Sequence, residues 1–462
     1  MRKTVFVSLA AGLLLAAPVL AADATQATAP AYNTDYQPSP EVAPGVYGKM
    51  ETPVTSKFKL SIGGFVKLDY VYNSDNFGPS GALTPGSGRI PKSTSIEGQT
   101  DQSLFTARQS RFWLKIGGPG FAGAKTSALI EVDFYGDPAA AAESPQVRMR
   151  QAWGAIDWPR TQILFGQAFD IFGPMVSSTV DFRHGAAYGT PNNPRVPQLR
   201  LTQKVDLTRD NSLKLVLGVQ DPNQNGNNNA GGTLATGTFG SAVNVAGQAM
   251  LVSKALGVAP GLWGLSMSPL SAGFFGLYGS EKVLVGAENN KESVDSWGYG
   301  FYTFVPLLKS ADGKSRAMTM SFEGQAYMSA NMAFNSATAD TLVGTTADPK
   351  PAKGYGFATQ LIFYPIQDLG FTAGYQRRGA SNYSDYSNRN IAINSQPSKT
   401  LSGADFLKFS SNIYFNVSYD LNAAIRLMAE YQNVNSRYGN NPAGTSESGT
   451  ANIARMAFLY FF

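Results

Sequence analysis

The 462 residues contain no cysteine and a single histidine. The first absence excludes a disulfide framework, a thiolate metal site and a cysteine nucleophile. The second excludes a histidine-built metal cluster, since His184 has no partner of its kind. Long apolar runs are scarce too. Beyond Leu20, charged or strongly polar residues interrupt every stretch long enough to span a membrane as a helix. Charge of one sign is also lacking: the net charge is only +5, too mild a balance to argue for nucleic acid.

The one apolar run, Val5 to Leu20, follows Arg2 and Lys3 and ends on Val19-Leu20-Ala21, which gives small residues where a signal peptidase reads. Residues 1–21 therefore read as a cleavable secretory signal peptide. Residues 22–56 are rich in Ala, Pro and Thr and read as an extended or mobile N-terminal segment. From 57 to 462 the texture is period-two. Phe58, Leu60, Ile62, Val66, Leu68, Tyr70 and Tyr72 share one parity; Lys59, Ser61, Lys67 and Asp69 share the other. Alternation puts the two sets on opposite faces of a strand. A membrane barrel needs only about 9–11 residues per strand with every second one apolar, which is compatible with a mean hydropathy of -0.14.

Sixteen candidate strands follow, at 58–72, 103–116, 124–135, 146–157, 161–171, 196–205, 212–220, 242–257, 268–283, 295–306, 316–329, 354–364, 369–378, 405–419, 423–434 and 450–462. Fourteen or eighteen would also suit the pattern. Short turns such as Gly117-Gly118-Pro119-Gly120 and Trp158-Pro159-Arg160 alternate with long polar loops at 73–102, 221–241, 330–353, 379–404 and 435–449. The expected fold is all-β, a transmembrane antiparallel up-and-down β-barrel with both ends of the chain on the short-turn side. The last strand carries Ala454, Met456, Phe458, Tyr460 and Phe462 on alternate positions and ends on an aromatic. Outer-membrane barrels have a terminal strand of this form, so Phe458, Tyr460 and Phe462 are the expected signal to the barrel assembly machinery.

Four stretches resemble strands of Gram-negative porins of the DcaP-like group: Thr106-Ala107-Arg108-Gln109-Ser110-Arg111-Phe112-Trp113-Leu114-Lys115, Ala128-Leu129-Ile130-Glu131-Val132-Asp133-Phe134, Val147-Arg148-Met149-Arg150-Gln151-Ala152-Trp153 and Leu164-Phe165-Gly166-Gln167. They stand in that family's order and cover roughly 58–172; the remainder is similar only in texture and in its aromatic end. The resemblance implies a homotrimeric channel in the cell outer membrane for small, often anionic, organic solutes. Residues 22–56 depart from it, lacking the heptads of the periplasmic coiled coil some members carry.

Parity assigns the residues expected to line the pore: Lys67 and Asp69 on the first strand, Arg111 and Lys115 on the second, Glu131 and Asp133 on the third, Arg148 and Arg150 on the fourth, Arg200 and Lys204 on the sixth, Glu323 on the eleventh and Glu430 on the fifteenth. A basic wall beside a few acids makes a transverse field in a wet pore. Arg108 has the opposite parity to Arg111 and is expected above the hydrocarbon or at a subunit contact. The third long connection, 172–195, is expected to fold inward as a constriction loop carrying Asp181, Arg183, His184 and Tyr188. Pro174, Pro191 and Pro194 would stiffen it, and Gly185 and Gly189 would allow close approach to a wall.

Enzyme motifs fail. Gly313-Lys314-Ser315 lacks the first glycine of a phosphate loop, since position 308 is Leu308, and reads as a turn. Gly264-Leu265-Ser266-Met267-Ser268 lacks the closing glycine of a nucleophile elbow. The expected function is passive diffusion of small hydrophilic solutes with a mild anion preference, organic acids among them, without cofactor or metal. The alternatives are a closed structural or adhesive barrel that binds partners through its loops, and a barrel hydrolase using Ser177, Asp181 and His184.

Overall fold

Alternation along each strand, apolar outward and polar inward, closes the sheet on itself. The computed structural model describes residues 58–77, 90–136, 145–181, 189–191, 195–222, 243–285, 290–332, 342–345, 348–351, 353–381, 391–393, 396–401, 407–440 and 446–462. Apart from Phe58 and Lys59 these fall in one unit, Leu60–Phe462. The segments 1–21 and 22–56 lie outside the described residues.

The barrel strands are β1 (Lys59–Asn73), β2 in two pieces (Gln102–Thr106 and Arg111–Gly117), β3 (Lys125–Asp133), β4 (Arg148–Asp157), β5 (Thr161–Phe169), β6 (Arg195–Asp206), β7 (Asn211–Gln220) and β8 (Asn244–Pro260), then β9 (Met267–Val285), β10 (Asn290–Leu308), β11 (Thr319–Ala330), β12 (Lys353–Ile366), β13 (Leu369–Ala380), β14 (Leu407–Asp420), β15 (Ile425–Asn440) and β16 (Ser446–Phe461). Each pairs antiparallel with its neighbours in sequence, and β1 pairs with β16 from Phe65↔Phe461 to Asn73↔Ile453, so no edge is left. Two small ribbons sit in long loops: Leu342–Thr345 with Asp348–Pro351, and Ile391–Ile393 with Gln396–Leu401. Among the described residues, helix is limited to two short 3-10 turns, Glu97–Gln99 and Leu262–Gly264.

The faces follow parity. On β1, Leu60, Ile62, Val66 and Leu68 are exposed outward while Lys67 and Asp69 are fully buried inward. On β16, Phe458 and Tyr460 face out and Arg455, Ala457 and Leu459 face in. An apolar exterior around a polar interior is the inverse of a water-soluble fold. The strands run on past several expected ends, notably on β9, β10, β15 and β16, so the last expected loop, 435–449, contracts to 441–445 between paired strands.

Two expectations are corrected. The second strand is not continuous: Ala107–Ser110 form a turn in which Ser110 N–H donates to Ala107 O at 3.0 Å. The interruption resets parity, and Arg108 is buried inside the barrel with its guanidinium 4.5 Å from the Tyr135 ring centre. The Gly313-Lys314-Ser315 stretch is a turn, as expected, and its cause is Asp312. The Asp312 carboxylate accepts from the N–H groups of Ser315 at 2.6 Å and Lys314 at 2.8 Å, and these bonds hold it below its ordinary carboxylate value.

Closure ends on Phe462. Its N–H donates to Gly64 O at 3.2 Å and its carbonyl accepts from Gly64 N–H at 3.1 Å, and a Cβ on Gly64 would stand 2.3 Å from Arg111 O. Deleting Phe462 should lower the amount of heat-modifiable barrel recovered from membranes, measured by semi-native gel mobility. Unchanged recovery would remove any role for the terminal aromatic in assembly.

Candidate functional site

The connection from β5 to β6, residues 170–194 and here called L3, turns into the barrel. Asp170 starts it: its carboxylate accepts from Phe172 N–H at 3.0 Å, and burial pushes it up to about 6. Gly173 lies in the left-handed region at φ 74. Ile171 and Phe172 pack on the inner wall of β7–β11, against Val216, Ala246, Met250, Phe275, Leu277 and Tyr327. Phe172 meets Phe275 edge-on with ring centres 4.9 Å apart.

From there L3 follows the inner wall at mid-height, held by one strand after another. Met175 N–H donates to Gln325 of β11 at 3.0 Å, Ser178 N–H to Gln360 of β12 at 2.9 Å, and Val180 N–H to Glu430 of β15 at 2.8 Å. Asn416 of β14 donates to Ser178 O at 2.6 Å. Lys67 of β1 donates to Val180 O at 2.5 Å, and Gln109 donates to Asp181 O. Asp181 faces Arg455 at 3.6 Å. A Cβ on Gly189, where the loop returns, would lie 2.3 Å from Phe357 O, so only glycine permits that approach. Arg183, His184 and Tyr188 lie outside the described residues.

L3 therefore covers several residues expected to face open water. Lys67 is fully buried and bonded to Asp69 at 2.7 Å, to Gln109 and to the loop. Glu430 pairs with Arg455 at 2.8 Å, and Glu323 accepts from Tyr302 at 3.0 Å and Gln360 at 2.6 Å. These residues stand on the inner face, as parity gives, but Lys67 and Glu430 tether the loop and Glu323 holds Gln360, which does so in turn. Sequence reasoning passed over their partners Gln109, Gln360, Asn416 and Arg455, and over Gln325, which holds Met175. For Arg455 the signal was present: it stands on the parity opposite to the terminal aromatics.

The rest of the lumen wall is β2–β7, which L3 meets at Gln109 in the β2 turn and at Val216 of β7. There the acids of β3 serve the arginines of β2 and β4. Asp133 takes Arg148 in a fork, at 2.9 and 2.6 Å, and Arg150 at 2.8 Å. Glu131 takes Arg150 and, at 3.4 Å, Arg111. The planar guanidinium fits such two-point contacts. Three arginines on two carboxylates leave positive charge over, and Arg195 at the start of β6 stands within electrostatic reach of all three.

Further along the same wall, Arg200 of β6 and Lys214 of β7 border a cavity of about 330 Å³ with Gln162, Thr202, Val216, Gln248 and Ile171 of L3. Among the described residues no carboxylate pairs with Arg195, Arg200 or Lys214. Lys115 and Lys204 stand exposed towards the short-turn end, where Lys204 pairs with Asp206 at 2.8 Å. Arg195 and Lys214, with no ion pair among the described residues, are cations on this wall that sequence reasoning missed. Lys214 shares Arg200's face, being two places from Val216 on the inner parity.

No family model matches the chain, and no curated protein does. Solved structures do. The outer membrane channel DcaP of Acinetobacter baumannii matches over 88% of this chain and 97% of its own, with 16% identity and a TM-score of 0.61. An anion-selective porin from Comamonas acidovorans matches over 88% of this chain and 100% of its own, with 9% identity and a TM-score of 0.51. What is shared at such identities is the fold: an all-β, antiparallel, closed sixteen-strand barrel.

Proposed function

We propose that the chain is an outer-membrane porin, a passive channel for small hydrophilic solutes that prefers anions, organic acids among them. One observation carries the reading: an inward loop narrows the lumen, and the wall beside it presents Arg195, Arg200 and Lys214 with no paired carboxylate among the described residues. A water-filled passage walled by low-dielectric protein focuses such a field and raises the local concentration of anions. Each guanidinium stays charged at any relevant pH and offers a carboxylate two parallel donors. A mobile solute meets this wall fully hydrated, so binding stays weak enough for exit.

The apolar exterior supports a place in a bilayer, with the short turns on the periplasmic side. The N-terminal pattern of residues 1–21 supports export with cleavage, and the terminal aromatic strand supports handling by the barrel assembly machinery. The resemblance of the stretches between 106 and 167 to strands of DcaP-like porins supports a homotrimer. Asp181, the acid of the hydrolase alternative, faces Arg455 and accepts from Thr179 within the loop. A charged, partly open lumen speaks against a closed structural barrel.

The test is single-channel recording in a planar bilayer under a salt gradient. We expect ohmic conductance with a reversal potential of the sign set by anions, larger at low ionic strength because screening acts over about 8–10 Å at physiological salt. A cation-side reversal at low salt would reject the selectivity, and the absence of any conductance would reject the channel.

A further inference from the structure

A lumen wall should be polar, yet the inner parity of β1, β15 and β16 carries Phe65, Met428, Ala457 and Leu459, all buried. Val180 from L3, and Trp263 with Leu262 from the connection between β8 and β9, pack against them. That connection starts on the far side of the barrel. β8 and β9 pair regularly as far as Ser253↔Leu270; four residues are then skipped, and pairing resumes from Val258↔Pro269 to Pro260↔Met267. Within the skipped stretch Gly257 adopts φ 71, where a side chain would be strained and would press on Lys309.

At this bend the tip of the hairpin leaves the wall and crosses the mouth. Val258 O accepts from Ser310 N–H at 2.8 Å and Pro260 O from the Ser321 hydroxyl of β11 at 2.7 Å. Gly264 lies so close to Tyr364 of β12 that a Cβ would stand 2.2 Å from the phenol oxygen. Trp263 O accepts from the Arg426 guanidinium of β15 at 2.8 Å. Asp420 braces this end, taking Arg426 and Arg316 each at 2.9 Å. Trp263 itself sits at φ 49, ψ 24, a left-handed conformation that a bulky residue keeps only when its surroundings impose it.

We propose that the β8–β9 turn is a second constriction element, with Trp263 as its tip. It closes the periplasmic mouth beneath L3 over β11–β16 and β1, so that a solute leaves only along the basic wall of β2–β7. L3 then sets the width at mid-height and Trp263 the width of the exit. The inference rests on the channel reading above and names a width-determining residue that L3 does not supply.

The test uses two variants of the full chain. Trp263→Ala removes the tip. Gly264→Val leaves the tryptophan but cannot seat against Tyr364, so the turn is expelled. Neutral polymers of graded size are added to one side of a planar bilayer at a time. Both variants should admit larger polymers from the periplasmic side and show higher conductance, with the size limit from the loop side unchanged. Unaltered limits on both sides in correctly assembled barrels would overturn the proposal. Tryptophan fluorescence separates this failure from failure of the channel reading. The Trp263 contribution, obtained by difference with Trp263→Phe, should resist iodide quenching in the wild type and lose that protection in Gly264→Val. A Trp263 readily quenched in the wild type overturns the placement of the turn alone, whereas a wild type that carries no current rejects the channel.

Discussion

Deleting residues 176–190 should give a barrel that still assembles and conducts markedly more current per channel than the wild type. The deleted stretch contains Ser178, Val180 and Asp181, which run at mid-height along β12 to β16 and bond to Gln360, Asn416, Glu430 and Lys67. Resistance concentrates where a pore is narrowest, so removing the loop should lower it more than any change at the mouths. The wall survives because its charges are paired among themselves: Arg455 with Glu430 at 2.8 Å and Lys67 with Asp69 at 2.7 Å. Leaving one buried member of such a pair alone typically costs about 3–5 kcal/mol, but both pairs lie wholly in the wall, and Arg455 keeps Glu430 when Asp181 is removed. Single-channel recording beside a semi-native gel decides the matter. Unchanged conductance from an intact barrel would mean that L3 does not set the width.

Why so much of the barrel was legible in the sequence is a matter of period. Two-residue alternation is local, and it placed Lys67, Asp69, Glu131, Asp133, Arg150 and Glu430 on the inner face from single strands read alone. The same locality explains Arg108. The turn at Ala107–Ser110 carries neither Gly nor Pro, and a parity count run through it lands on the wrong face. Strand ends were poorly legible for another reason: a barrel strand extends past the hydrocarbon wherever a neighbour continues to pair with it, as β15 and β16 do up to Asn440↔Ser446.

The division of the inner face was not legible at all. Parity says that Lys67, Arg150 and Arg200 point inward. It does not say that L3 covers the first, that Glu131 and Asp133 occupy the second, and that the third borders a cavity. Those facts depend on contacts between residues far apart in the chain. The inward β8–β9 turn left one trace, the apolar Phe65, Met428 and Leu459 on faces that should be wet. An apolar residue on a lumen parity is thus a sequence signal that something inside the barrel covers it.

That division also selects the charges worth changing. Substituting Arg148 or Arg150 would remove one of the two guanidinium partners of the buried Asp133, so a loss of anion preference there would be confounded with misfolding. Arg200 and Lys214 have no carboxylate to strand among the described residues. The double variant Arg200→Glu with Lys214→Glu should therefore keep the barrel and turn the reversal potential towards cations. A charge in so hydrated a setting is worth about 1 kcal/mol or less, and each substitution changes the local charge by two units. With tenfold in an equilibrium for every 1.4 kcal/mol, the permeability ratio should move by roughly tenfold or more at low salt and by much less when the Debye length is short. The neutral pair Arg200→Gln with Lys214→Gln should fall between, which separates charge from shape. If the double glutamate variant assembles and keeps the wild-type reversal potential at low salt, these two cations do not face the path, and selectivity lies with Arg111, Arg148, Arg150 and Arg195 alone.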